Sequence, residues 1–332
     1  MTPAQPPAQR LAFLDLTKGV LVLLMIAYHG LNYTDQYRLG FRYFSFLPPS
    51  FILITGFLLS KVYAPRYEHG DPTLRSRLLL RGAKLIGLFT ALNILAQFVR
   101  SPAYGRSVGV MGFWEQWQQV FFWGSGRIAV FEILLPIAYL LLIAPGLLWA
   151  SHRHPRFLPL FTVVIVGTSV GLDYGGVDFA NLKMISAGVL GMLAGRVISE
   201  PAMVGRYRWV ALAAFGAYLP LGTARGYFFL IQLLGSCVAL VLIAGLSVRW
   251  GERGWLQKRI VRIGQYSLVA YIAQIAILQT LSRFLGRPHP LDPEALLLFA
   301  GTPLLMALAV EIGHGWRQHS TRVDKIYRAL FA

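Results

Sequence analysis

Three ionisable side chains, Asp15, Lys18 and His29, occupy one apolar run near the N-terminus, Leu14-Asp15-Leu16-Thr17-Lys18-Gly19 … Met25-Ile26-Ala27-Tyr28-His29. Ionisable groups are costly in hydrocarbon and mark a functional site by default. As a helix, the run puts Lys18 and His29 on one face, eleven residues and about 16 Å apart along the axis. Asp15 lies one turn before Lys18 and Asn32 one turn beyond His29, so the face reads Asp15, Lys18, Val22, Met25, His29, Asn32. Asp15 and Lys18, acid before base and three apart, can neutralise one another. A neutral imidazole at His29 offers the lone pair that a general base needs. In a plainer reading Asp15 and Lys18 are flanking charges at a membrane interface and His29 closes the outer end. Three such groups on one face weigh against it.

The elements that must position these residues are membrane spans. The chain has 332 residues, 56% hydrophobic and 14% charged, with a mean hydropathy of +0.56. A soluble domain carries roughly 45–50% apolar and about 25% charged residues. Charge is confined to short clusters between apolar runs long enough to cross the hydrocarbon core. The expected fold is all-α, a polytopic membrane helix bundle of about ten transmembrane helices. They fall near 12–33, 43–63, 78–99, 128–150, 157–173, 181–199, 208–223, 228–248, 263–284 and 295–315. No polar stretch is long enough for a separate domain, so residues 1–332 read as one integral-membrane unit, and no internal repeat is visible.

Charge sets the orientation. With the N-terminus inside, the inward segments carry 21 Lys and Arg and the outward ones 9, so both termini are expected in the cytoplasm of a multi-pass inner-membrane protein. The net charge of +17 flanks the apolar helices and forms no continuous stripe, which argues against a nucleic-acid partner. A single cysteine, Cys237, excludes an internal disulfide and a cysteine metal cluster. Residues 1–10 are rich in Pro and Gln, and no small-residue cleavage site follows the first apolar run, so that run reads as a retained helix. The aromatic stretch 100–127, with Phe113-Trp114-Glu115-Gln116-Trp117 and Phe121-Phe122-Trp123, reads as an interfacial helix or as a lid over a site in the bundle. The sequence has no phosphate-binding loop, no dinucleotide fingerprint and no paired Cys/His zinc spacing, and His152 and His154 read as a basic turn.

The first-helix pattern resembles the signature of the transmembrane acyltransferase superfamily. That group includes the acyltransferase-3 proteins, the periplasmic-glucan succinyltransferases and the heparan glucosaminide N-acetyltransferases, in which a polar residue, usually Arg, precedes an essential His by eleven positions. Lys18 holds that place here. Thr55-Gly56, within Phe51 to Leu59, resembles the second-helix Ser-Gly segment. Arg81-Gly82-Ala83-Lys84 is similar to the Arg-x-x-Arg motif that opens the third helix. Phe131-Glu132-Ile133-Leu134-Leu135-Pro136-Ile137-Ala138-Tyr139 resembles the fourth-helix run of the glucan-succinyltransferase branch. Tyr266-Ser267-Leu268-Val269-Ala270-Tyr271 … Gln274 resembles a late Ser-Leu-x-x-Tyr-x-x-His segment. Gln274 replaces the last His, and the two lysines lose the planar fork of Arg.

The resemblance implies an acyl-coenzyme A donor entering from the cytoplasm, used as a substrate, with no tightly bound cofactor. The other partners it implies are a glycan or small-molecule acceptor and the bilayer; homodimerisation is left open. His29 would take the acceptor's proton as it attacks the thioester, or form an acyl-histidine. Lys18 would position the donor or stabilise developing charge, and Asp15 would fix Lys18. Arg77, Arg81 and Lys84 would meet the donor's phosphates, although basic residues at an inner helix end also serve topology. Glu132, read as lying inside the fourth helix, would orient His29, bind a sugar hydroxyl or pair with Arg127. Asn32, Asn93 and Arg127 complete the expected acceptor side, and Asn93 and Gln97 serve equally as interhelical hydrogen-bond partners. Acetyl and succinyl donors are not distinguished. A multi-pass transporter is the second reading, and it needs no acyl chemistry.

Overall fold

The computed structural model describes residues 12–34, 42–99, 109–124, 129–198, 201–225, 228–250 and 254–331, and its regular structure is all helical. Among the described residues, ten long helices occupy the ten predicted positions. They are α1 (Ala12–Leu31), α2 (Leu47–Glu68), α3 (Leu74–Val99), α5 (Leu134–Arg153), α6 (Phe157–Tyr174), α7 (Ala180–Val197), α9 (Arg208–Arg225), α10 (Phe229–Trp250), α12 (Ser267–Leu285) and α13 (Pro293–His319). Shorter helices are α4 (Gly109–Glu115), α8 (Pro201–Arg206), α11 (Trp255–Gln265) and α14 (Thr321–Phe331). Eight of the ten long helices are apolar and long enough to cross a membrane. The others, α7 and α9, have 18 residues each and fall outside that set. This is the all-α polytopic membrane bundle that the hydropathy pattern predicts.

Lipid tails are as apolar as a leucine side chain, so helices in a membrane associate by close packing rather than by expulsion of water. Two glycine contacts make this concrete. A Cβ on Gly56 of α2 would lie 1.8 Å from the Gly188 carbonyl oxygen of α7, so the Thr55-Gly56 motif is the point where those backbones touch. A Cβ on Gly264 of α11 would lie 1.7 Å from the Asp15 carbonyl oxygen, and one on Gly19 would lie 2.1 Å from that of Ile260. The end of α1 that carries Asp15 and Lys18 is therefore seated directly on α11. Leu21 and Met25 pack toward α2 and α10, while Val22 and Ile26 pack toward α12 and α13.

The structure corrects three predicted boundaries. The fourth segment was expected as helix from residue 128, but α5 starts at Leu134. The Val130 N–H donates to Asn93 Oδ1 (2.8 Å), which holds the preceding stretch out of helix. Glu132 therefore sits in the turn that leads into α5, not inside the helix. The ninth segment was expected as one helix over 263–284, but it breaks at Tyr266 into the amphipathic α11 and the apolar α12. The Tyr266 hydroxyl lies 2.9 Å from His314 Nδ1 and accepts from Arg317 Nη1 (3.0 Å), so contacts with α13 fix the break. α2 starts later than predicted, with Pro48 and Pro49 in its first turn, where a missing N–H costs least.

Of the aromatic stretch 100–127, residues 109–124 are described. Phe113 and Val120 are buried on Phe89 and Leu135, and the Phe121 carbonyl accepts from Tyr139 (2.7 Å) and Asn181 (2.9 Å). Met111, Trp114, Trp117 and Phe122 remain exposed. The stretch thus packs onto the bundle with one face and turns an aromatic face outward.

Candidate active site

Among the described residues, three chambers with shared walls lie alongside α1. The inner chamber, about 280 Å³, is lined by Lys18, Thr55, Tyr63, Arg81, Lys84 and Tyr327 among others. The middle chamber, about 180 Å³, is walled mainly by apolar side chains including Phe51, Ile54, Leu58 and Leu85. The outer chamber, about 210 Å³, takes in His29, Asn32, Glu132, Asn181 and Tyr28. Lys18 and Ile137 line both the inner and the middle chamber. Met25, Ile133 and Tyr271 line both the middle and the outer one. The helical face deduced from spacing is thus largely the face that α1 turns to the chambers. Lys18, Met25, His29 and Asn32 lie on it; Val22 packs instead into the core.

At the inner end, Lys18 Nζ is 2.7 Å from Asp15 Oδ1, the ion pair expected from the i, i+3 spacing. Asp15 is buried beneath it and holds the ammonium in place. Arg81 Nη1 donates to the Tyr63 hydroxyl, which ties the opening turns of α3 to the π-helical turn Leu59–Tyr63 within α2. Lys84 stands one turn further along α3. The chamber therefore collects three cations, Lys18, Arg81 and Lys84, from two helices that are distant in sequence. Arg77, expected with them, is exposed on α3 and does not line the chamber.

At the outer end, the His29 ring stands 5.2 Å from that of Tyr28, edge to face, and 6.0 Å from that of Tyr271. Its Nε2 is shielded and has no hydrogen-bond partner among the described residues. Glu132 enters from the turn before α5 and shares the chamber with His29 and Asn32. Asn93, expected to touch substrate, does not line the chamber. It is fully buried, donates to the Phe89 carbonyl (2.9 Å) and accepts from Val130 N–H, so it shapes the turn that carries Glu132. Arg127 lies outside the described residues.

The acyltransferase domain family matches residues 11–312. The chain belongs to that family. No curated protein and no solved structure gives a significant match. The acyltransferase assignment covers α1 to most of α13 and so includes every helix that lines the chambers except α14. A transporter reading is thereby displaced by a membrane acyltransferase.

Some site residues went unrecognised in the sequence. Tyr271 lies in the Ser-Leu-x-x-Tyr segment, so its motif was a usable signal. Asn181 had none: it opens α7, lines the outer chamber and gives its amide to the carbonyls of Phe121 (2.9 Å) and Phe122 (3.0 Å). Gln274, which replaces the common late His, is fully buried one turn beyond Tyr271 and lines none of the three chambers.

Proposed function

We propose that this acyltransferase moves an acyl group from cytoplasmic acyl-coenzyme A to a hydroxyl or amine of a glycan-type acceptor across the cell's inner membrane, with His29 as general base. The observation that carries this reading is the row of three chambers joining the Lys18, Arg81 and Lys84 cluster to His29. A donor that keeps its phosphates at the cationic end needs a narrow, dry passage to deliver its thioester to the other end. The middle chamber supplies one.

The chemistry follows from the placement. An acceptor hydroxyl in the outer chamber gives its proton to His29 Nε2 while its oxygen attacks the thioester carbonyl. The carbon–sulfur bond then breaks, the thiolate leaves with coenzyme A and takes up a proton, and the acceptor keeps the acyl group. Lys18 is a chamber away from His29, which suits holding the donor more than stabilising charge at the reacting carbon. Asp15 fixes Lys18, and Glu132 and Asn32 are placed to accept from or donate to acceptor hydroxyls. Among the described residues that line the middle chamber, Lys18 at its inner end is the only charged side chain.

Arg81→Gln and Lys84→Gln test the donor end. Each change removes a charge-assisted phosphate contact and should raise the KM for acyl-coenzyme A about tenfold, with the acceptor KM unmoved. The gap from the unmodified protein should narrow as salt rises, because exposed charge pairs are screened. An unchanged donor KM together with misinserted protein would show that these residues serve topology alone.

A further inference from the structure

The family match ends at residue 312, yet the chain continues into α14 (Thr321–Phe331), and that helix returns to the site. Tyr327 and Leu330 of α14 line the inner chamber together with Lys18, Arg81 and Lys84, and α14 packs against α3, the helix that carries Arg81 and Lys84.

Its position is set by a clamp between Arg317, which follows the matched residues, and α14 itself. Arg317, in the last turn of α13, donates to Asp324 Oδ1 from Nε (2.9 Å) and from Nη2 (2.6 Å). Its guanidinium lies 3.7 Å from the ring centroid of Tyr327 and 5.3 Å from that of Tyr266. Arg328 adds a second cation to Asp324 at 2.6 Å. Arg317 beside Asp324 holds its carboxyl below the ordinary carboxylate range, so the pair is ionised at neutral pH and is lost only as acid protonates Asp324. A planar guanidinium that hydrogen-bonds a carboxylate and lies over a tyrosine face fixes that ring from two directions.

We propose that α14 is a wall of the donor site, with Tyr327 contacting the thioester-bearing arm of acyl-coenzyme A and Arg317 and Asp324 acting as positioning residues. The inference rests on the donor reading given above. The inner chamber, about 280 Å³, lies at the small end of ligand pockets. It takes the arm, with the phosphates against Lys18, Arg81 and Lys84 and the nucleotide at the mouth. Tyr327 and Leu330 give the arm an apolar surface that the cations do not.

The test uses the full-length protein in lipid nanodiscs, with free coenzyme A as the calorimetric probe and acyl-coenzyme A in turnover assays. Tyr327→Ala should raise the coenzyme A Kd and the donor KM about tenfold, leaving kcat and the acceptor KM nearly unchanged. Tyr327→Phe, which keeps the ring, should restore both values, and Asp324→Asn should give a smaller rise of the same kind. A general loss of structure would lower kcat and would not be rescued by phenylalanine. Wild-type affinity in Tyr327→Ala overturns the proposal. If that variant is too unstable to assay, Leu330→Ser carries the same expectation and the same overturning result. Failure of the unmodified protein to bind coenzyme A would instead remove the donor reading itself.

Discussion

His29→Ala is expected to lower acyl transfer by about 10²–10⁴-fold, the range that follows loss of a positioned general base. Coenzyme A binding should be unchanged, because the chamber that holds the cations is separated from His29 by the middle one. Thermal stability should also hold. The Nε2 of His29 has no hydrogen-bond partner among the described residues, so its removal strands no buried polar group. The ring contacts with Tyr28 and Tyr271 are lost into a space already continuous with the chamber. Turnover is measured with radiolabelled donor and Tm alongside it. Near-normal turnover in a stable variant would remove His29 as the base.

The second large effect concerns the passage. Ile137 lines both the inner and the middle chamber, at the junction the acyl group must cross. Ile137→Trp should obstruct that junction and lower transfer about 100-fold, since misplacing a reacting group by about 1 Å already costs that much. Ile137→Leu, which conserves volume, should keep most of the activity. Coenzyme A should still bind both variants, because Arg81 and Lys84 line the inner chamber and not the middle one. Binding and transfer measured on the same preparation separate this outcome from misfolding. If the tryptophan variant transfers acyl groups at the normal rate, the donor does not pass through the middle chamber.

The positions of the helices and the reactive face of α1 were legible in the sequence because both depend on local order. Apolar runs mark spans, and the helical repeat alone puts Lys18, Met25, His29 and Asn32 on one side. Features decided by distant contacts were not legible. Residues 129–131 are apolar enough to read as helix, but the Asn93 side chain from α3 captures the Val130 N–H and leaves Glu132 in a turn. The 263–284 run breaks at Tyr266 because His314 and Arg317 of α13 hold its hydroxyl. Arg77 belongs to the same basic cluster as Arg81 in sequence, yet it lies outside the inner chamber, which the cluster's composition does not reveal. Tyr327 had no signal, because its place depends on a clamp seven residues wide between Arg317 and Asp324.

Sidedness in sealed proteoliposomes tests the central claim most directly. Lys18 and His29 are about 16 Å apart along α1, at opposite ends of the chamber row. The protein is inserted in one orientation, acyl-coenzyme A is supplied on the face that carries the C-terminus, and acceptor is enclosed on the other. The expected result is acylated acceptor in the enclosed space, with transfer abolished by Ile137→Trp and by His29→Ala. Transfer only when donor and acceptor share the C-terminal face would contradict a route through the bundle.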